Sequence, residues 1–129
     1  MTTPVPGTLA WFEVATDDPE TTQKFYGSLF DWTFEADGPA TSGGLDYRNI
    51  KASGADQPMG GIFGTGGQQP DHAVFYILVA DVAATCADAE QLGGSVVSKH
   101  LDAGPGVPTF AYLRDPAGNQ FGVFTPPAE

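Results

Sequence analysis

The chain has 129 residues, 41% of them hydrophobic, enough for one folded domain with a real core. Its net charge of −11, with five Lys and Arg against sixteen Asp and Glu, leaves no surface able to track phosphates, which excludes nucleic acid as a partner. No apolar run reaches membrane-spanning length, and MTTPVPG lacks the basic-then-apolar order of a signal peptide; a cytoplasmic protein without a membrane partner is the expectation.

After a short Thr/Pro tail over residues 1–7, residues 9–14 form an apolar, aromatic-rich run of strand length. Leu9, Trp11 and Glu13 alternate with Ala10, Phe12 and Val14, so the strand is bulky on both faces. Such a strand belongs to a sheet covered on both sides, or to one whose second face lines a cavity. Glu13 marks its face as the better candidate for the cavity. Asp18-Pro19 then supplies an N-cap and the residue best tolerated at the first helical position. Thr22, Phe25, Tyr26, Leu29 and Phe30 recur at helical spacing, which predicts a buried apolar face. Three extended segments follow, at 32–36, 45–52 and 59–63, with a Gly/Pro/Ser loop over 37–44 and a Gly60-Gly61 pair marking a bulge or close backbone approach. The polar, Gly-rich stretch GTGGQQPD at 64–71 reads as a linker.

The same grammar then returns. Residues 72–79 are a second apolar strand, Asp81 caps a second helix, and Gly93-Gly94 ends it before a strand at 95–99. Cys86 lies on the apolar side of that helix with Val82, Ala89 and Leu92, where a packing thiol is favoured over a nucleophile; as the only cysteine it forms no internal disulfide. A Gly/Pro loop over 102–108 leads into strands at 109–114 and 120–125, joined by Asp115-Pro116-Ala117-Gly118-Asn119, a tight reversal. A shift of 63 residues carries Asp18 onto Asp81 and Leu29 onto Leu92. The chain is therefore read as a single domain with an internal repeat: a module over 8–63, a linker, and a second module over 72–126, each strand-helix-strand-strand-strand.

FYGSLFDWTFE after the first capped strand, DV…A.AEQLGGSVV after the second, and the closing YLRDPAGNQFGVF together resemble the vicinal oxygen chelate superfamily. That is the group of glyoxalases, bleomycin-resistance proteins and extradiol dioxygenases. The resemblance runs from about Leu9 to Thr125 and implies an α+β fold: two βαβββ modules in tandem forming a curved mixed-sheet cleft, with helices on the outer face. It also implies a homodimer.

Enzymes of that superfamily typically hold a divalent cation with His and Glu side chains, one from the first and one from the last strand of each module. By the resemblance, those positions fall here on Trp11, seven residues before Asp18, on Phe75, six before Asp81, and on Gly122, seven after Asp115. The fourth falls near residues 59–61, and residues 57–67 contain no His, Cys, Asp or Glu. Indole, phenyl and hydrogen cannot coordinate a cation. Glu13 and His72 are the only candidates near the strand ends, short of the three or four protein ligands of a catalytic zinc. No metal or other cofactor is expected, and metal-dependent glyoxalase or dioxygenase activity does not carry over.

Trp11 and Phe75 would instead present apolar surface, and Gly122 would leave room, which suits a pocket stacking on a small hydrophobic or aromatic ligand. Glu13 is the polar group placed to orient it, with Tyr47 and Tyr112 as further ligand-binding candidates. Alternation from Phe75 sends Tyr76 to the helix side, as core. The bland alternative is that Trp11 and Phe75 fill the cleft and that Glu13 meets Arg48, Arg114 or water. His72 and His100 are read as backbone-bonded or solvent-facing. Three functions follow: a metal-free small-molecule-binding protein of the bleomycin-resistance type; a metal-independent lyase or isomerase with Glu13 as catalytic acid or base, its pKa raised by desolvation; or a filled domain acting through dimer or partner contacts.

Overall fold

Asp18 accepts a hydrogen bond from the Thr21 amide at 3.1 Å and Pro19 stands at the start of the helix, so α1 (Pro19–Phe30) begins where its cap places it. Asp81 repeats the arrangement on the Ala84 amide at 3.0 Å, opening α3 (Val82–Gln91). Around these helices the computed structural model, which describes residues 5–42, 44–102 and 106–127, is α+β. Its strands are β1 (Leu9–Thr16), β2 (Thr33–Ala36), β3 (Tyr47–Lys51) and β4 (Gly60–Gly64), then β5 (His72–Leu78), β6 (Ser95–His100), β7 (Thr109–Arg114) and β8 (Gln120–Thr125). The order is βαβββ twice, with one addition. Residues 37–44, expected to be a loop, contain a short helix α2 (Gly38–Ser42), started by Asp37 accepting the Ala40 amide at 3.0 Å.

The chain divides into two compact units. Trp11–Ala73 form one; Val74–Glu129 form the other, together with Met1–Ala10. The Gly7 amide donates to the Leu78 carbonyl at 2.7 Å, which ties the described part of the N-terminal tail to β5. Positions 1–4 of that tail, position 43, and positions 103–105 of the expected 102–108 loop lie outside the described residues.

In the first unit the strand order is β2-β3-β4-β1, with β1 and β4 parallel and the other pairs antiparallel. Ile50 and Ile62 are fully buried on the side that α1 covers, where Arg48 also reaches Gln23 of α1 at 2.9 Å. In the second unit the order is β5-β8-β7-β6, with β5 and β8 parallel. Val82 and Cys86 of α3 pack there against Ala111, Leu113 and Val123. Burial pushes the Cys86 thiol up, against a smaller opposing pull from Lys99, so it is a packing group.

The α1 face is a correction. None of its residues is buried, and Phe25, Leu29 and Phe30 are 60%, 59% and 50% exposed. Tyr26 makes the inward contact, stacking on Trp32 at 5.5 Å, and Gly27 lies against the Phe34 ring. The inward stripe is therefore narrower than the apolar periodicity, because small and polar residues (Thr22, Gln23 and Gly27) share it.

Candidate functional site

The strands of each unit have one face on their helix and one face away from it, and strand register assigns residues to each. In the first unit Glu13 pairs with Gly61 and Phe12 with Gly60. Phe12 shares the helix side with Ile62 and Ile50; Trp11, Glu13 and Ala15 take the other face with Gly61, Tyr47 and Asn49. The Trp11 indole Nε1 donates to the Tyr47 hydroxyl at 2.9 Å, joining two residues 36 apart in sequence. The Tyr47 ring lies directly over Gly61, where any Cβ would collide with it. Glu13 is only 5% exposed on this face. Trp11, Glu13 and Tyr47 are thus brought together. Arg48 is not with them: it lies on the helix side, bonded to Asp46 at 3.1 Å and Glu20 at 3.0 Å.

In the second unit the expected side chains change places. Ile77 pairs with Val123 of the α3 core, so Phe75, on the same face as Ile77, lies on the helix side, where it stacks on Phe121 at 6.1 Å. Tyr76, read from the sequence as helix-side core, pairs with Gly122 and occupies the face away from α3. The cause is a one-residue slip. The repeat shift of 63 carries Glu13 onto Tyr76 and Trp11 onto Val74, and a single step reverses every side chain of a strand. Gly122 does not leave an empty place either. A Cβ there would stand 2.6 Å from the Tyr76 ring, so the glycine exists to admit that ring.

The Tyr76 hydroxyl bonds to that of Tyr112 at 2.7 Å, and Tyr112 lies edge-on to Phe110. His100 stacks on Phe110 at 4.4 Å between ring centres, with Nε2 3.2 Å from the Ser98 hydroxyl. Tyr112, Phe110 and His100, together with the buried Tyr76, make a continuous aromatic cluster on the face away from α3. The sequence reading missed Tyr76, Phe110 and His100 as members of it. Carrying the 63-residue shift uniformly through the first strands would have found Tyr76. His72 is not part of this group; its Nδ1 lies 2.9 Å from the Pro70 carbonyl.

The superfamily's cation has no donors here. Trp11 and Gly61 in the first unit, and Val74 and Gly122 in the second, offer an indole, an isopropyl group and two hydrogens. Among the described residues no three His, Cys, Asp or Glu side chains come together. The residues do not fit a divalent metal.

At the β2 edge of the first unit a groove of about 580 Å³ is lined by Gln23, Phe34, Glu35, Leu45, Tyr47 and Arg48, with Thr41 of α2 at its rim. Arg48 donates there to Gln23 and Asp46, which also line the groove, and to Glu20.

The model of the glyoxalase-like domain family matches residues 11–124. The chain belongs to that family. Its fold is that of the vicinal oxygen chelate superfamily, as the tandem βαβββ order requires. The glyoxalase-like chain is 35% identical over 126 residues to a Mycobacterium bovis protein named "Putative glyoxylase CFP32", covering 93% of this chain and 44% of that one. It is 31% identical to a glyoxylase-like domain-containing protein of Didymella fabae, covering 95% and 97% of the two. It is 29% identical to the anthracycline biosynthesis protein DnrV of Streptomyces peucetius, covering 96% and 49%. The chain thus spans less than half the length of the mycobacterial and Streptomyces relatives. Among solved structures, methylmalonyl-CoA epimerase of Mycobacterium tuberculosis superposes with a TM-score of 0.65 at 12% identity, covering 99% of this chain and 93% of that one. A variant of the Streptomyces coelicolor methylmalonyl-CoA epimerase, in complex with 2-nitronate-propionyl-CoA, gives 0.64 at 16%, covering 96% and 100%. These structures share the fold. Among the described residues no helix is long and apolar enough to cross a membrane.

Proposed function

We propose that this glyoxalase-like chain is a metal-free small-molecule-binding protein that takes a flat apolar or aromatic ligand against a sheet face turned away from its own unit's helix. One observation carries the reading: where the superfamily places metal donors, this chain places aromatic rings seated on glycines, Tyr47 on Gly61 and Tyr76 on Gly122. Trp11, Tyr47, Tyr112 and Phe110 are only half-buried, so their rings offer stacking area, and hydroxyls among them supply polar handles. The relative named for anthracycline biosynthesis supports a polycyclic aromatic as the ligand class. Nile red, a neutral fused-ring dye, is the first probe. Its emission is expected to rise and saturate on titration with the full chain, and Tyr112→Ala to weaken binding about tenfold. Dye that fails to saturate, or stoichiometric zinc, iron, manganese or nickel by elemental analysis, overturns the proposal.

A second reading rests on Glu13, a buried carboxylate on the same face as Trp11. There it would move a proton to or from a ligand, as an isomerase requires. The fold shared with methylmalonyl-CoA epimerases makes that thioester the first substrate to try. In D2O the wild type is expected to wash deuterium into methylmalonyl-CoA, and Glu13→Gln to bind Nile red without exchange. Equal exchange by both proteins removes Glu13 from the reaction.

A further inference from the structure

The two modules repeat their strands but not their charges. On the first unit's face away from α1, register puts Glu13 beside Gly61 and Glu35 beside Asn49. Asp37 joins them by accepting from the Asn49 side-chain amide at 3.1 Å. A shift of 63 residues carries Glu13, Glu35 and Asp37 onto Tyr76, Ser98 and His100. Pairing keeps that equivalence: the Asp37 amide donates to the Tyr47 carbonyl at 2.9 Å, and His100 pairs with Phe110, onto which the same shift carries Tyr47. The base survives where the acids do not. Lys51 is carried onto Arg114, which shares a face with Phe110 and Tyr112 and lies opposite Gln120. Arg114 is exposed and, among the described residues, enters no ion pair. Strands β5 to β8 contain no Asp or Glu at all.

We infer that the ligand is a flat aromatic acid and that it lies on the second unit, its rings on Phe110 and Tyr112 and its carboxylate at Arg114. This rests on the binding function proposed above and adds to it a charge and a face. Alternate residues of a strand stand about 7 Å apart on one side, so Arg114 is a single step along β7 from the Tyr112 ring. A guanidinium takes both oxygens of a carboxylate in one plane, and the Gln120 side chain opposite supplies a further amide donor. His100, stacked on Phe110, closes the other end of the row. Charge separates the two faces. In a chain of net charge −11 an anion is repelled over most of the surface, and Glu13, Glu35 and Asp37 would repel it from the first unit's face. The strands of the second unit offer it a cation and no carboxylate.

Anthracene-2-carboxylate and its neutral carboxamide, followed by the anisotropy of their own emission, separate charge from stacking. The acid is expected to bind the full chain about tenfold more tightly than the amide. Arg114→Gln is expected to remove that advantage while the amide binds as before, with the circular dichroism spectrum kept because Arg114 is exposed. His100→Asp, which returns the first unit's carboxylate to this place, is expected to weaken the acid more than the amide. Lys51→Gln, at the matching position of the first unit, is expected to change neither. Equal binding of acid and amide overturns the inference and leaves the binding function standing. An acid that responds to Lys51→Gln and not to Arg114→Gln lies on the first unit and overturns it as well. Saturable binding of neither compound overturns both readings.

Discussion

Gly122 and Gly61 are the residues whose role was hardest to read in the chain. Counted as lost metal ligands they look like vacancies, yet each is a seat for a tyrosine ring. Tyr76 comes from the neighbouring strand 46 positions earlier, and Tyr47 from the strand 14 positions before Gly61. Nothing local to a glycine announces the ring that will cover it. Gly122→Ala puts a methyl 2.6 Å from the Tyr76 ring carbons, in a place framed by β5, β7 and β8. Overpacking of this kind is expected to destabilise the fold by about 1–3 kcal/mol, read by chemical denaturation. In a Tyr76→Ala background the same substitution is expected to cost less, since the clash partner is gone.

At the scale of elements, capping carboxylates set where structure begins and turns. Asp115 is held below the ordinary carboxylate value of 3.8, first by the Asn119 side chain and then by the Asn119, Ala117 and Gly118 backbone. Asp18 is held below the same value by its bonds to Thr21. A depressed carboxylate contributes stability that is present above its unfolded pKa and lost as pH falls through its folded one. The acid limb of the stability curve should therefore lie below pH 3.8 for these two groups, with their contribution complete at neutral pH. Asp115→Asn is expected to lower the melting temperature by a few degrees at pH 7 and to lose that effect in strong acid. A difference that persists unchanged in acid would assign the effect to geometry rather than charge. These caps are also why the element order was legible: Asp-Pro at 18–19 and 115–116 and Asp81 mark boundaries in the sequence itself. The turn α2 was not legible, since five residues carry no period and only Asp37 hints at a start.

For the molecule as a whole, the tandem βαβββ plan was readable because two caps and two leucines keep one register 63 residues apart. The site was half readable. β1 holds a charge, Glu13, that marks its faces, whereas β5 reads HAVFYIL, apolar on both sides after His72. Without alternation nothing in β5 itself chooses between Phe75 and Tyr76, and only the repeat resolves it. The α1 stripe shows a related limit: periodicity reveals that a helix has a greasy side, not what covers it. One strand joins these scales. At Gly60 and Gly61 the β4 backbone carries no side chain, yet Phe12 presses on it from one side and Tyr47 from the other. The pair with the weakest intrinsic preference for a strand is thereby clamped like a tape between two plates. Its amide protons should be among the slowest in the chain to trade with deuterated solvent, outlasting those of bulkier neighbours at the β2 edge.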